Sequence, residues 1–214
     1  MSGCVIVGAG PSELGNVKSD DFIIAADAGY AKVLSAGLRP CLVIGDFDSL
    51  GYVPDEPDVI VLPSQKDETD TFAAMQAALE RGFIEIHVMG GVGGRLDHTL
   101  ANIQTMAYAK DQGAQVFLHG SRDILTMLSG QSMSFETGGT GTVSIFSHTD
   151  RACGVTLSGM RYPLVDATLT GSYPLGVSNE LTGQAARITV KTGKLLVVFP
   201  SDAPPPTIRS LDGA

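Results

Sequence analysis

The chain has 214 residues, of which 43% are hydrophobic and 17% charged, and its formal net charge is −9. Such a composition reads as soluble and globular, long enough for one large or two small domains, and excludes a disordered chain. The acidic balance argues against a nucleic-acid backbone as the main partner, which needs a basic surface, but leaves room for a small anion held by local donors.

In chain order, CVIVGAG (4–10), FIIAADAG (22–29), CLVIGDFDS (41–49), DVIVLPS (58–64), IEIHVMGG (84–91) and QVFLHG (115–120) read as strands. Most are continuous apolar runs, as expected for a parallel sheet covered on both faces. Between them, 30–38, 69–82 and 95–113 read as helices, with Gly82 and Gly113 where C-terminal caps belong. Repeated strand–helix–strand units predict a Rossmann-like α/β domain with a mostly parallel sheet over residues 1–122. From about residue 121 the pattern changes to short strands between Gly, Ser and Thr turns: SMSFET, GTVSIFSH, RACGVTLSG, RITVKTG and KLLVVFP. This predicts an all-β sandwich domain over 123–200, and the Pro-rich 201–214 reads as a loose tail.

Cys4, Cys41 and Cys153 lie far apart and form no CxxC pair. That suits a reducing compartment and argues against a thiolate zinc site. The start MSGCVIVGAG lacks the basic region and long apolar run of a secretory signal, and no stretch approaches the ~18 apolar residues of a membrane helix. A cytoplasmic location without a membrane partner is expected.

The chemistry concentrates where strands run out. In an open α/β sheet, ligands bind beyond the carboxyl ends of the strands. Asp46 and Asp48 in GDFDS fall at such an end. If the chain stays extended, residues i and i+2 share a face, so both carboxylates point one way and Phe47 points into packing. Two like charges held together call for a cation such as Mg2+. A plain turn, with Asp46 and Ser49 satisfying backbone donors, is the other reading. Asp27 in AADAG and Asp70 in KDETD bring further carboxylates to the same edge, and Asp67 or Thr69 caps the following helix. Donors for an anion come from GGVGGRLDHTLAN (90–102): loop glycines, a helix N-terminus and the forked cation of Arg95, with Asp97, His98 and Asn102 close by. His98 and Asn102 are i, i+4 neighbours on one helix face. The spacing is neither GxGxxG nor a Walker A loop. Acids and donors together point to Mg2+ and a polyphosphate.

ADAG, IGDFDS, KDETD and GGVGGRLDHTLAN, in this order and spacing, closely resemble the thiamine pyrophosphokinase (thiamine diphosphokinase) family. GMRYPL (159–164) and GVSNE (176–180) resemble its thiamine-side segments, and the likeness spans about residues 5–199. What the resemblance implies is transfer of a diphosphoryl group from ATP to thiamine, giving thiamine diphosphate and AMP, by attack on the β-phosphorus. Asp46, Asp48 and Asp70 are then the metal ligands, and Asp27 or Asp70 takes the alcohol proton. Lys66, Thr69, Gly93, Gly94, Arg95, Asp97, His98 and Asn102 fall on the ATP side. Tyr162, Ser178 and Asn179 fall on the thiamine side, with Tyr162 offering an aromatic face to the thiazolium. The family likeness also implies a homodimer, with thiamine between the α/β domain of one subunit and the β domain of the other. GAGPSEL (8–14) carries no assigned role. A metal-dependent nucleotide-sugar transferase would also use a DxD, but leaves GGRLDHTLAN and the β domain without a purpose. A haloacid-dehalogenase-type phosphatase would carry its DxD after the first strand, not the third. A non-catalytic sensor would not need the full acid set.

Overall fold

The computed structural model describes residues 3–65 and 67–211. The chain divides into two compact units, Met1–Ser121 and Arg122–Ala214.

In the first unit the elements are β1 (Cys4–Val7), β2 (Phe22–Ala26), α1 (Gly29–Ser35), β3 (Leu42–Gly45), β4 (Val59–Val61), α2 (Asp70–Glu80), β5 (Glu85–Met89), α3 (Leu96–Asp111) and β6 (Gln115–His119). The strands pair parallel in the order β6-β5-β1-β2-β3-β4. The chain builds outward from β1 on one side, then returns and builds outward on the other. The order therefore reverses between β1 and β5, and the loops after those two strands flank the switch point. All four residues of β1 and of β3 are buried, which is why these strands read as unbroken apolar runs. Val5, Val7, Ile23, Ala25 and Val43 pack with Tyr30 and Val33 of α1 and with Phe47 and Met89 in one core cluster.

The helix ends follow the sequence. Thr69 caps α2, its hydroxyl accepting from Phe72 N–H at 3.1 Å. Gly82 (φ 82°) and Gly113 (φ 85°) follow the C-caps of α2 and α3 in the left-handed conformation that glycine adopts without strain.

The second unit contains β7 (Asp123–Leu128), β8 (Gln131–Phe135), β9 (Thr140–Ser147), β10 (Arg151–Ser158), β11 (Leu164–Thr170), β12 (Asn179–Thr182), β13 (Ala186–Val190), β14 (Leu195–Pro200) and β15 (Thr207–Ser210). Within it, β12-β9-β14-β7 pair antiparallel, and so do β11-β10-β13-β8-β15. Phe135 of β8 meets Phe199 of β14 edge-on at 5.6 Å, which joins the two sets through the core. The expected loose tail is corrected for part of its length. Thr207–Ser210 pairs with β8, because a Thr-Ile pair after three prolines is extended and can complete a sheet edge. β11 and β12 stayed hidden in the sequence because one is a mostly exposed edge strand and the other is short. No helix among the described residues is long and apolar enough to cross a membrane.

Candidate functional site

The carboxyl edge of the first unit gathers most of the singled-out residues. Asp27 directly follows β2, and its main chain continues the pairing, with its N–H donating to the Ile44 carbonyl at 2.9 Å. Asp27 and Asp46 therefore leave neighbouring strands. Gly45 separates them so closely that a Cβ there would stand 3.1 Å from the Asp27 Cα. Asp27 sits at φ 46°, a conformation disfavoured for a side-chain-bearing residue, and its buried Oδ1 has no hydrogen-bond partner. Such strain costs on the order of 1–3 kcal/mol and persists only where the surrounding structure holds it in place.

GDFDS does not stay extended, which corrects the shared-face expectation for Asp46 and Asp48. β3 ends at Gly45, and Phe47 turns to φ 60° so that its ring, 2% exposed, enters the core. The Asp48 N–H then donates to Asp46 Oδ1 at 3.2 Å. The stretch is a turn, and Asp46 satisfies one of its backbone donors, the Asp48 N–H. Asp48 itself is exposed. Burial of the phenyl ring outweighs the preference for an extended backbone, and it orients the carboxylates through the turn.

Asp70 opens α2 directly after its cap. The helix N-terminus lies beside the end of β1, since a Cβ on Gly8 would come 3.8 Å from the Thr71 hydroxyl. Thr69 is committed to capping, and Lys66 lies outside the described residues. Among the described residues, no three His, Cys, Asp or Glu side chains come together closely enough to hold a metal ion.

The glycine loop after β5 meets the loop after β1. A Cβ on Gly10 would lie 2.1 Å from the Gly90 carbonyl oxygen, and one on Gly90 would lie 2.4 Å from that of Gly10. Only glycine fits either place. Gly93 and Gly94 follow, exposed and against Pro11. GAGP, to which the sequence analysis gave no role, thus forms one wall of the loop pair at the switch point. Its signal was the paired glycines after a strand.

Asn102 is 6% exposed and donates from Nδ2 to the Gly91 carbonyl at 2.8 Å, so it fastens α3 to the start of the loop. His98, one turn before Asn102 on α3, is exposed. Arg95 forms a two-pronged pair with Asp97, at 3.1 Å from Nε and 2.6 Å from Nη2. The hydrogen bond to Asp97 raises the Arg95 pKa, and the same bond holds the Asp97 carboxyl below its usual range. Both side chains are exposed, so the fork can be exchanged for another anion at small cost.

In the second unit, Asn179 is 2% exposed. Its Oδ1 accepts from the N–H groups of Tyr162 and Glu180, at 3.0 and 2.8 Å, and its Nδ2 donates to the Tyr162 carbonyl at 2.7 Å. Asn179 therefore holds the Tyr162 main chain. Tyr162 is exposed, and the Arg161 guanidinium, paired with Glu180, lies 5.4 Å from its ring centre. Ser178 sits at φ 58° and is anchored by its N–H to the Ser144 hydroxyl at 3.0 Å.

An α/β unit with carboxylates and paired glycine loops at its switch point is the architecture of an enzyme acting beyond its strand ends. A family model for the thiamin pyrophosphokinase catalytic domain matches residues 16–118, and one for its vitamin B1 binding domain matches residues 132–197. The chain belongs to the thiamine pyrophosphokinase family and is an enzyme of that type. It is 28% identical over 209 residues to thiamine pyrophosphokinase of Bacillus subtilis (strain 168), covering 92% of this chain and 98% of that one. The crystal structure of the Bacillus subtilis thiamine pyrophosphokinase aligns with a TM-score of 0.82 at 26% identity, over 94% of this chain and 100% of that one. That of the Geobacillus thermodenitrificans protein aligns at 0.79 and 29% identity, over 93% and 97%.

Proposed function

We propose that this protein transfers a diphosphoryl group from ATP to the hydroxyethyl oxygen of thiamine, giving thiamine diphosphate and AMP. The observation that carries the proposal is the carboxyl edge, where the Gly10 and Gly90 loops flank the switch point and Asp46, Asp70 and Asp27, whose buried Oδ1 has no hydrogen-bond partner, follow or adjoin the neighbouring strand ends. The alcohol oxygen attacks the β-phosphorus, the bond from that phosphorus to the α-phosphate bridging oxygen breaks, and AMP leaves. The alcohol proton goes to a carboxylate, Asp27 or Asp70; the free oxygen of Asp27 supports the former. Loop N–H groups and Arg95 take phosphate oxygens, with Arg95 exchanging Asp97 for the substrate.

Since no three acidic side chains among the described residues converge, one or two of Asp46, Asp48 and Asp70 would hold Mg2+ together with the substrate phosphates. A hard-oxygen donor set beside an unpartnered carboxylate fits that ion, which binds through one or two carboxylates, water and substrate phosphates rather than a complete protein cage. The ion would neutralise phosphate charge. On the thiamine side, Tyr162 offers its exposed ring once Arg161 yields, and Ser178 offers its hydroxyl. Asn179 acts by holding the Tyr162 main chain. We further propose a homodimer in which each thiamine pocket takes residues from both subunits. The unpaired cysteines suit the cytoplasm.

The test is incubation with ATP, Mg2+ and thiamine. AMP and thiamine diphosphate should form in equal amounts, and only with thiamine present. ADP and thiamine monophosphate as products would sink the β-attack. For the dimer, co-refolding Arg95→Ala and Asn179→Ala chains, assayed at a thiamine concentration too low for either variant alone to turn over, should restore up to about a quarter of wild-type activity. No recovery in mixed dimers confirmed by mass would refute a pocket shared in that way.

A further inference from the structure

The carboxyl edge carries a cation that the acids and loops do not explain. Lys32 lies one turn into α1, and helical side chains lean toward the helix N-terminus. That terminus is pressed onto β1, where a Cβ on Gly29 would lie 1.9 Å from the Val7 carbonyl oxygen. The Lys32 ammonium accordingly reaches the carbonyl of Gly10. Gly10 is the residue that touches Gly90, so the charge stands where the two loops meet.

The ammonium forms no ion pair with any described residue. Its side chain is half-buried, and burial pushes its pKa below the usual lysine range. A neutral carbonyl does not balance a charge taken out of water. Arg95, by contrast, already has Asp97, and Arg39 has Glu56. The position therefore calls for an anion.

We propose that Lys32 is a polyphosphate-contacting residue, whose ammonium takes a non-bridging phosphate oxygen of the nucleoside triphosphate where the 8–11 and 90–94 loops meet. The role rests on the ATP reading above and adds a residue to it. It also explains how phosphate approaches an edge rich in carboxylates: a point charge on the opposite wall offsets their repulsion. Because the oxygen it holds does not react, the contact is made in both ground and transition states, and its loss acts on KM rather than kcat.

The test is calorimetric binding of Mg-ATP, inorganic pyrophosphate and adenosine to the wild type, Lys32→Met and Lys32→Arg. Lys32→Met should weaken Mg-ATP and pyrophosphate about 10-fold or more and leave adenosine within about two-fold, while Lys32→Arg stays within about three-fold of wild type. On the unaltered protein, Mg-ATP and pyrophosphate should protect Lys32 from an amine-acylating reagent, read by mass spectrometry, and adenosine should not. Wild-type affinity for Mg-ATP in Lys32→Met, or equal acylation with and without Mg-ATP, overturns the role and leaves the function standing. Equal weakening of adenosine and Mg-ATP assigns Lys32 to holding the loop alone and also overturns it. A wild type that binds neither Mg-ATP nor pyrophosphate overturns this role and the function together.

Discussion

Asn179 and the Tyr162 main chain hold each other, Tyr162 N–H donating to Asn179 Oδ1 at 3.0 Å and Asn179 Nδ2 donating to the Tyr162 carbonyl at 2.7 Å. Removing the amide strands polar groups in the interior. Asn179→Ala should therefore cost about 2–3 kcal/mol in urea unfolding and raise the apparent KM for thiamine more than it lowers kcat. A variant as stable as wild type would remove Asn179 from its positioning role.

Asp46→Asn keeps an oxygen for the Asp48 N–H and loses only charge, and Asp48→Asn alters an exposed carboxylate. Each should lower turnover by roughly 100-fold while the melting temperature holds or rises slightly. Near-normal turnover with a lower melting temperature would make GDFDS a structural turn and nothing more.

His119 and His87 share a hydrogen bond of 2.8 Å between ring nitrogens, and burial, followed by the proximity of His87, lowers the His119 pKa from 6.5 to about 4. Between those values the unfolded chain binds a proton that the folded chain refuses. The stabilisation is full above pH 6.5 and is lost as pH falls toward 4, amounting to roughly 2–3 kcal/mol. His119→Gln keeps a polar partner for His87 and should flatten that part of the stability–pH curve. An unchanged slope would show that other groups set it.

Gly10→Ala places a Cβ 2.1 Å from the Gly90 carbonyl oxygen. The loops must part, at a cost of about 1–3 kcal/mol, and a displacement of this kind should lower turnover about 100-fold. Gly15→Ala meets nothing within 4 Å and serves as the control. Equal behaviour of the two variants would show that the loop contact is dispensable.

The parallel strands were legible because burial on both faces leaves continuous apolar runs, and α2 and α3 because Thr69, Gly82 and Gly113 mark their ends. Asp27, Asp46 and Asp70 were legible as strand-end or helix-start acids. The turn at Asp46–Asp48 was not, since an extended chain and a left-handed Phe47 place the same letters in the same order. The inward orientation of Asn102 and Asn179 was equally invisible: a polar residue near a loop looks alike whether it faces a ligand or a carbonyl. Gly10 and Gly90 need each other, and contacts across 80 residues leave no local pattern.

That mutual dependence limits how the enzyme can be recombined. Neither Gly10 nor Gly90 has room for a single added carbon, so the two loops are cut to one another like key and ward. A chimera that imports the 90–94 segment from a relative inherits a shape made for another N-terminal loop. Grafts at this edge should succeed when residues 8–11 travel with residues 90–94, and fail when either is moved by itself.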